Sequence, residues 1–209
     1  PGDHVRGRHV SGSAKAVPAV PSRVQRLVDD LPPVHLEAEV PPADPGWALA
    51  VAGLVRRPLR LTVAELLPLA EEVVTDHHCV WGWSRRACRW TGVTVGRLLD
   101  LAGPSPEART VTARCRVGPY ASCLWLEDAR DAVVAWALDG EPLRPENGGP
   151  LRLQNPSRLW GYKGVKWVGE LEVGDAFVPG FWEAKTADPE GRVPAELLAP
   201  FDTEEEDAP

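Results

Sequence analysis

The chain has 209 residues, 44% of them hydrophobic and 25% charged, with a net charge of −7. That composition suits one globular domain with irregular extensions and excludes a wholly disordered chain, which carries too little apolar surface to fold. No basic stripe is interleaved with aromatic residues, and no apolar run approaches the roughly 20 residues of a membrane helix, so neither nucleic acid nor a membrane is the expected partner.

Residues 1–22 mix Gly, Ser, Pro and His without periodicity and read as a flexible arm. A domain is expected over residues 23–200. Residues 201–209 form an acidic tail (Asp202, Glu204, Glu205, Glu206, Asp207) expected to be solvated and disordered. Within the domain a short helix is predicted around residues 24–28, then proline-broken extended chain to Pro45. Residues 47–53 alternate as a strand, and residues 59–61 form another. Thr62-Val63-Ala64-Glu65 is a capping box that opens a helix, which Pro68 limits. Residues 73–75 read as a strand running into His77-His78-Cys79. A second helix is predicted over residues 94–101, with Val95, Leu98 and Leu99 on one face and Gly103 just past its end. Strands are predicted over residues 110–117, 124–126, 150–154 and 165–173, with turns at Asp139-Gly140 and Asn147-Gly148. Many short strands, few short helices, and 22 Pro and 19 Gly predict an α+β domain with mostly antiparallel or mixed β-sheets, not a doubly wound fold.

No phosphate-binding glycine loop, nucleophile elbow or H-E-x-x-H pair is present. The four cysteines, Cys79, Cys88, Cys115 and Cys123, include no C-x-x-C pair. They are too sparse for a disulfide scaffold, which favours a reducing, cytoplasmic location. Cys115 and Cys123 are expected to pack as small hydrophobes, and Cys88, after Arg85-Arg86, to be exposed.

Two segments carry chemistry. Asp76-His77-His78-Cys79-Val80-Trp81-Gly82-Trp83-Ser84 is the densest cluster of reactive and aromatic residue types. A thiolate at a strand end walled by indoles suits a soft metal ion; a buried free cysteine packed between Trp81 and Trp83 is the plain structural alternative. The second segment runs from Arg158 to Trp167. Arg158, Lys163 and Lys166 bring three cations within nine residues, and Gly161 and Gly164 let backbone amides approach a ligand. That combination suits a phosphate; its alternative is a solvated basic turn before a strand.

His78-Cys79-Val80-x-Gly82-Trp83-Ser84 followed by Trp90-Thr91-Gly92-Val93 resembles a signature of the sulfite oxidase family of molybdopterin-dependent oxidoreductases. The stretch from Trp47 to Leu67, Tyr120-x-Ser122-x-x-x-Leu126-Glu127-Asp128-Ala129, Asp139-Gly140-x-Pro142-Leu143, Gly149-Pro150-Leu151-Arg152-Leu153 and Gly161-Tyr162-Lys163-x-Val165-Lys166-Trp167 resemble the family's other blocks, in the family order, over about residues 45–183. The resemblance implies a sulfite-oxidase-type molybdopterin-binding domain. Cys79 would be the thiolate ligand of molybdenum, and Tyr120 would stand near the metal. His78, Arg158, Gly161, Tyr162, Lys163, Val165 and Lys166 would hold the molybdopterin, the cations on its phosphate. It also implies two-electron oxygen-atom transfer to or from a small-molecule substrate, with a separate electron-transfer partner.

The chain departs from the family at several positions. Acidic residues Glu37 and Glu39 stand in the lead-in segment where sulfite oxidases offer an arginine. Gly82, Trp83 and Ser84 replace an arginine pair after the cysteine. Trp81 and Asn147 replace a polar residue and a histidine. A site with carboxylates in place of guanidiniums repels a dianion such as sulfite, so a less strongly anionic substrate is expected. The departures also raise the alternative of a cofactor-free relative that acts as a binding module. A zinc site from His77, His78, Cys79 and Cys88 is a third reading, disfavoured because adjacent residues of an extended segment point to opposite faces.

Overall fold

A computed structural model describes residues 22–33, 40–42, 44–186 and 188–198. The expected arm (residues 1–21), the lead-in acids Glu37 and Glu39, and the acidic tail lie outside the described residues.

The strands are β1 (Arg26–Leu27), β2 (Ala48–Gly53), β3 (Leu59–Thr62), β4 (Glu71–Cys79), β5 (Trp83–Thr94), β6 (Thr110–Cys115), β7 (Ala121–Trp125), β8 (Val133–Leu138), β9 (Glu141–Pro142), β10 (Arg152–Gln154) and β11 (Val168–Gly174). The helices are α1 (Val63–Leu66), α2 (Val95–Ala102), α3 (Leu126–Arg130) and α4 (Ala195–Leu198). The strands form a six-stranded sheet in the order β1-β5-β8-β10, with β4 on the other side of β5 and β9 on β8, and a five-stranded sheet in the order β3-β2-β11-β6-β7. Both are mixed: β1 runs parallel to β5 and β2 parallel to β11, and the other pairs are antiparallel. The α+β class with mixed sheets is as the sequence implies.

Local chemistry explains the elements. The hydroxyl of Thr62 accepts from the amide of Glu65 while the Glu65 carboxylate accepts from that of Thr62, so the capping box opens α1. Thr94 caps α2 by accepting from the amide of Arg97, and Gly103, at φ 68°, ends it in the left-handed conformation glycine tolerates. Asp139 (φ 52°) and Gly140 (φ 86°) make the tight turn between β8 and β9. The core lies between the sheets: Leu49, Val51, Val111, Ala113, Leu171 and Val173 point inward from the five-stranded sheet and meet Val95, Leu98 and Leu99 of α2. Each fully buried leucine contributes about 2 kcal/mol of apolar transfer free energy.

The structure departs from expectation at four points. Residues 24–28 are not a helix; their backbone amides pair with the edge of β5. The twelve-residue β5 is longer than anything its charged sequence suggested, and Leu126 opens α3 instead of ending a strand. Cys88 is fully buried, not exposed; Ala87 at φ 48° breaks the strand alternation just before it.

Candidate functional site

β4 and β5 form a hairpin whose turn is Cys79-Val80-Trp81-Gly82. The Gly82 amide donates to the Cys79 carbonyl (3.1 Å), and Gly82 has φ 86°, which side-chain-bearing residues rarely adopt. Alternation along β4 turns His77 and Cys79 into a cleft and His78 away from it. The ring of His78 is buried on the opposite face, with Nδ1 2.7 Å from Ser84 Oγ and its edge against Trp160.

The cleft, of about 820 Å³ counted to its open mouth, lies between the two sheets. The hairpin supplies His77, Cys79, Trp81 and Trp83. The ends of β6 and β7 bring Cys115 and Tyr120, β10 brings Arg152, and the loops around it bring Asn147, Gly161, Tyr162, Gly164 and Lys166. Trp182 closes one wall. Its described lining contains no carboxylate and two side-chain cations, Arg152 and Lys166.

Arg152 is buried, donates to the Asn147 carbonyl (3.0 Å) and Gln154 Oε1 (3.3 Å), and lies over Trp90. Burial without a carboxylate beside it pulls its pKa down to about 10. Lys166 donates to the Glu146 carbonyl (2.7 Å). His77 stacks on Trp83, with Nδ1 3.3 Å from Gln154 Oε1; burial first and then Arg152 push its pKa well below the usual range, so the ring is neutral. Burial raises the Cys79 thiol to about 11, opposed by a hydrogen bond from the Trp81 amide. The Tyr120 hydroxyl donates to the Tyr162 carbonyl. The indole Nε1 of Trp81 is buried and finds no acceptor within the described residues.

Of the residues singled out in the sequence, Cys79, Tyr120, Gly161, Tyr162 and Lys166 converge on this cleft. Gly161 sits so close to His77 that a Cβ there would lie 2.6 Å from the imidazole. Arg158, Lys163, Val165 and His78 do not line it. Arg158 is held outside by Asp128 (2.6 Å) and Asp131 (2.7 Å). Lys163 is sealed in the interior by the carboxylate of Glu183 and the carbonyls of Cys123 and Pro189. Val165 is buried beneath, paired through its backbone with Leu153. The cations aimed at the cleft are therefore Arg152 and Lys166, and spacing along the Arg158–Trp167 segment could not separate Lys166 from the other two.

Arg152 and His77 carry more of the site than the sequence reading gave them; a lone arginine inside the apolar run Pro150-Leu151-Arg152-Leu153 was the available signal. Cys115 borders the cleft instead of packing wholly inside, whereas Cys123 is fully buried as expected. No group of three His, Cys, Asp or Glu side chains able to hold a metal occurs among the described residues, which leaves the zinc reading without support. No helix of the described residues is long and apolar enough to cross a membrane.

Residues 37–182 match the family model described as the oxidoreductase molybdopterin binding domain. The chain is 37% identical over 140 residues to the uncharacterized oxidoreductase YuiH of Bacillus subtilis (strain 168), covering 66% of this chain and 70% of that one. It is 33% identical over 165 residues to the protein-methionine-sulfoxide reductase catalytic subunit MsrP of Gluconobacter oxydans (strain 621H), covering 69% of this chain and 52% of that protein, so it spans about half of that relative's length. Among solved structures, the sulfane dehydrogenase SoxCD of Paracoccus pantotrophus superposes with a TM-score of 0.56 at 26% identity, over 68% of this chain and 40% of that one.

Proposed function

The chain belongs to the oxidoreductase molybdopterin binding domain family and is a molybdopterin-dependent oxidoreductase, and from that premise we propose that Cys79 is its ligand to molybdenum and that the cleft between the sheets receives the pyranopterin. The observation that carries the proposal is the placement of the Cys79 thiol, alone of the hairpin's sulfur and carboxylate groups, on the lining of a cleft that has no carboxylate among the described residues.

The residues present fit such a group. A thiolate is a soft donor to a metal ion, and binding a metal would displace the proton that burial holds on Cys79. Arg152 and Lys166 face the cleft as cations with no carboxylate on its lining among the described residues, which suits an incoming phosphate. Gly161 lets the cleft floor pack directly on His77 and Gly164 on the Leu153 carbonyl, and the Trp81 Nε1–H, unpartnered among the described residues, offers a donor. Bound there, the cofactor supplies two-electron redox chemistry with transfer of an oxygen atom.

The chain's own part is binding and orientation. Cys79 fixes the metal; Arg152 and Lys166 hold the phosphate; Trp81, Trp83, Tyr120 and Trp182 wall the space left for substrate and keep water out. With both lining cations engaged by the cofactor, none is left to attract a dianion, which supports a small and not strongly anionic substrate. A sulfoxide meets that description: it is neutral, with a polarised S–O bond. The name of the Gluconobacter relative points to the same class of substrate. Turnover also needs an electron-transfer partner to supply or remove electrons. No observation favours the cofactor-free alternative.

Two measurements test the reading. Protein expressed in a host that makes the cofactor is expected to carry close to stoichiometric molybdenum by elemental mass spectrometry, and Cys79→Ala to lose it; full retention by Cys79→Ala overturns the ligand assignment. With a reduced dye as electron donor for sulfoxides, and in a separate assay an oxidised dye as electron acceptor for sulfite, small sulfoxides are expected to be reduced far faster than sulfite is oxidised; the reverse order would remove the substrate proposal while leaving the ligand intact.

A further inference from the structure

Residues 22–28 lie as a strap along the Cys79 turn. The Ser22 amide donates to the Val80 carbonyl (3.1 Å), the Arg26 amide to that of Gly82 (3.0 Å) and the Val28 amide to that of Ser84 (3.0 Å). The strap seats against the one residue of the turn that lacks a side chain: a Cβ on Gly82 would come within 3.1 Å of the Val24 carbonyl oxygen and 3.2 Å of Ser22 Oγ. Its outer face is open, with Val24 82% exposed and Leu27 52%.

One side chain of the strap points inward. The Gln25 carboxamide Nε2 donates to the Ser22 carbonyl (2.7 Å) and, more weakly, to the Cys79 carbonyl (3.4 Å), while its Oε1 accepts from Ser84 Oγ (2.8 Å). The same Ser84 oxygen lies 2.7 Å from His78 Nδ1. Because the Ser84 proton goes to Gln25, the bond between Ser84 and His78 has one direction only: Nδ1–H donates. Gln25 thus touches both shoulders of the turn, Cys79 directly and His78 through Ser84. It also stands upstream of the matched residues 37–182, so the family pattern does not supply it.

We propose that Gln25 is a positioning residue for Cys79: its carboxamide clamps the Cys79 turn to the strap and fixes the orientation of the thiol in the cleft. The proposal rests on the reading of Cys79 as the molybdenum ligand. Residues that orient a ligand from behind change metal affinity by about 10–100-fold when they are removed.

The test uses full-length chain loaded in a cofactor-making host and compares wild type with Gln25→Ala, Gln25→Met, Arg23→Ala and Cys79→Ser. Gln25→Met keeps the length of the side chain without its hydrogen bonds. Arg23→Ala removes an exposed pairing of the same strap with Glu196 (3.3 Å) and touches nothing in the turn. Three quantities are read: the rate of molybdenum release into a chelator, hydrogen exchange of the 80–84 amides, and the melting temperature. Both Gln25 variants are expected to release metal about ten-fold faster and to exchange the 80–84 amides faster, with Arg23→Ala at the wild-type rate. Wild-type release from Gln25→Met reduces Gln25 to packing and overturns the proposal. Release that simply follows melting temperature across all variants, Arg23→Ala included, overturns it too. If Cys79→Ser holds metal as wild type does, the ligand reading itself fails; if Cys79→Ser loses metal while the Gln25 variants do not, only the positioning role fails.

Discussion

Arg152 sets the charge of the cleft. It is buried, meets only carbonyl and amide oxygens and an indole face, and borders the space where a phosphate would sit. Arg152→Met is expected to weaken retention of the cofactor by about 2 kcal/mol, the worth of a hydrogen bond to a charged group, or roughly thirty-fold. Arg158→Ala is expected to leave retention unchanged and to cost about 1 kcal/mol of stability, because its partners are Asp128 and Asp131; cofactor released per chain and urea midpoints separate the two effects. The sequence showed three cations in the anchoring segment but not their directions, since direction depends on Asp128, Asp131 and Glu183, which approach from other elements. The position of Cys79, at a strand end beside Trp81 and Trp83, was legible because its neighbours in sequence are also its neighbours in space.

A second residue ties stability to pH. Asp139 accepts from the Arg89 amide (3.1 Å) and pairs with Arg85. Burial pushes its pKa up, but these hydrogen bonds and the arginine charges outweigh it and hold the carboxyl below its usual value. A depressed pKa in the folded state gives stability that is present above the unfolded value and lost as pH falls through the folded one. Asp139→Asn keeps a side chain that tolerates positive φ, so the turn survives. The variant is expected to be less stable than wild type at neutral pH, with the gap closing below about pH 4; thermal melts across that range check it.

At the scale of elements, the helices with capping signals were the easiest to read. Thr94 and Gly103 bracket α2 as the sequence implied, and Thr94→Ala is expected to cost about 1 kcal/mol in denaturant unfolding, the usual worth of such a cap. The β4–β5 hairpin was harder. Its outer half is rich in arginine, and only tertiary partners make Arg85 and Arg86 acceptable there: Asp139 for the first, Asp76 for the second. The short α3 has no side-chain cap on Trp125, so nothing local announced it. The strap at residues 22–28 took strand form because β5 offers it an edge, a fact residing in β5 and not in the strap's own pattern.

Across the whole molecule, Glu183 fastens the last part of the described chain to the five-stranded sheet. Its carboxylate takes hydrogen bonds from Ser122 Oγ (2.7 Å), the Cys123 amide (3.1 Å), the Gly180 amide and Lys163, and Trp182 beside it walls the cleft. Removing one charge strands the other in the interior. Lys163→Met is expected to cost about 3–5 kcal/mol, and the double change Lys163→Met with Glu183→Gln distinctly less than the sum of the two single changes. A double-variant cost equal to the sum of the two single costs in a denaturant cycle would show that no such coupling exists.

The position of β11 bears on how the protein comes to be made. This strand, residues 168–174, lies between β2 and β6 and among the described residues is the only bridge between the β3-β2 and β6-β7 halves of its sheet. During synthesis those halves emerge more than a hundred residues before or some forty residues before the strand that unites them, and each meanwhile carries an unpaired edge. The Lys166 side of the cleft is held in place by the same late segment. A ribosome paused between residues 79 and 174 therefore holds a chain with its thiol already translated and no closed cleft to receive a cofactor, which would make loading an event that follows completion of the sheet.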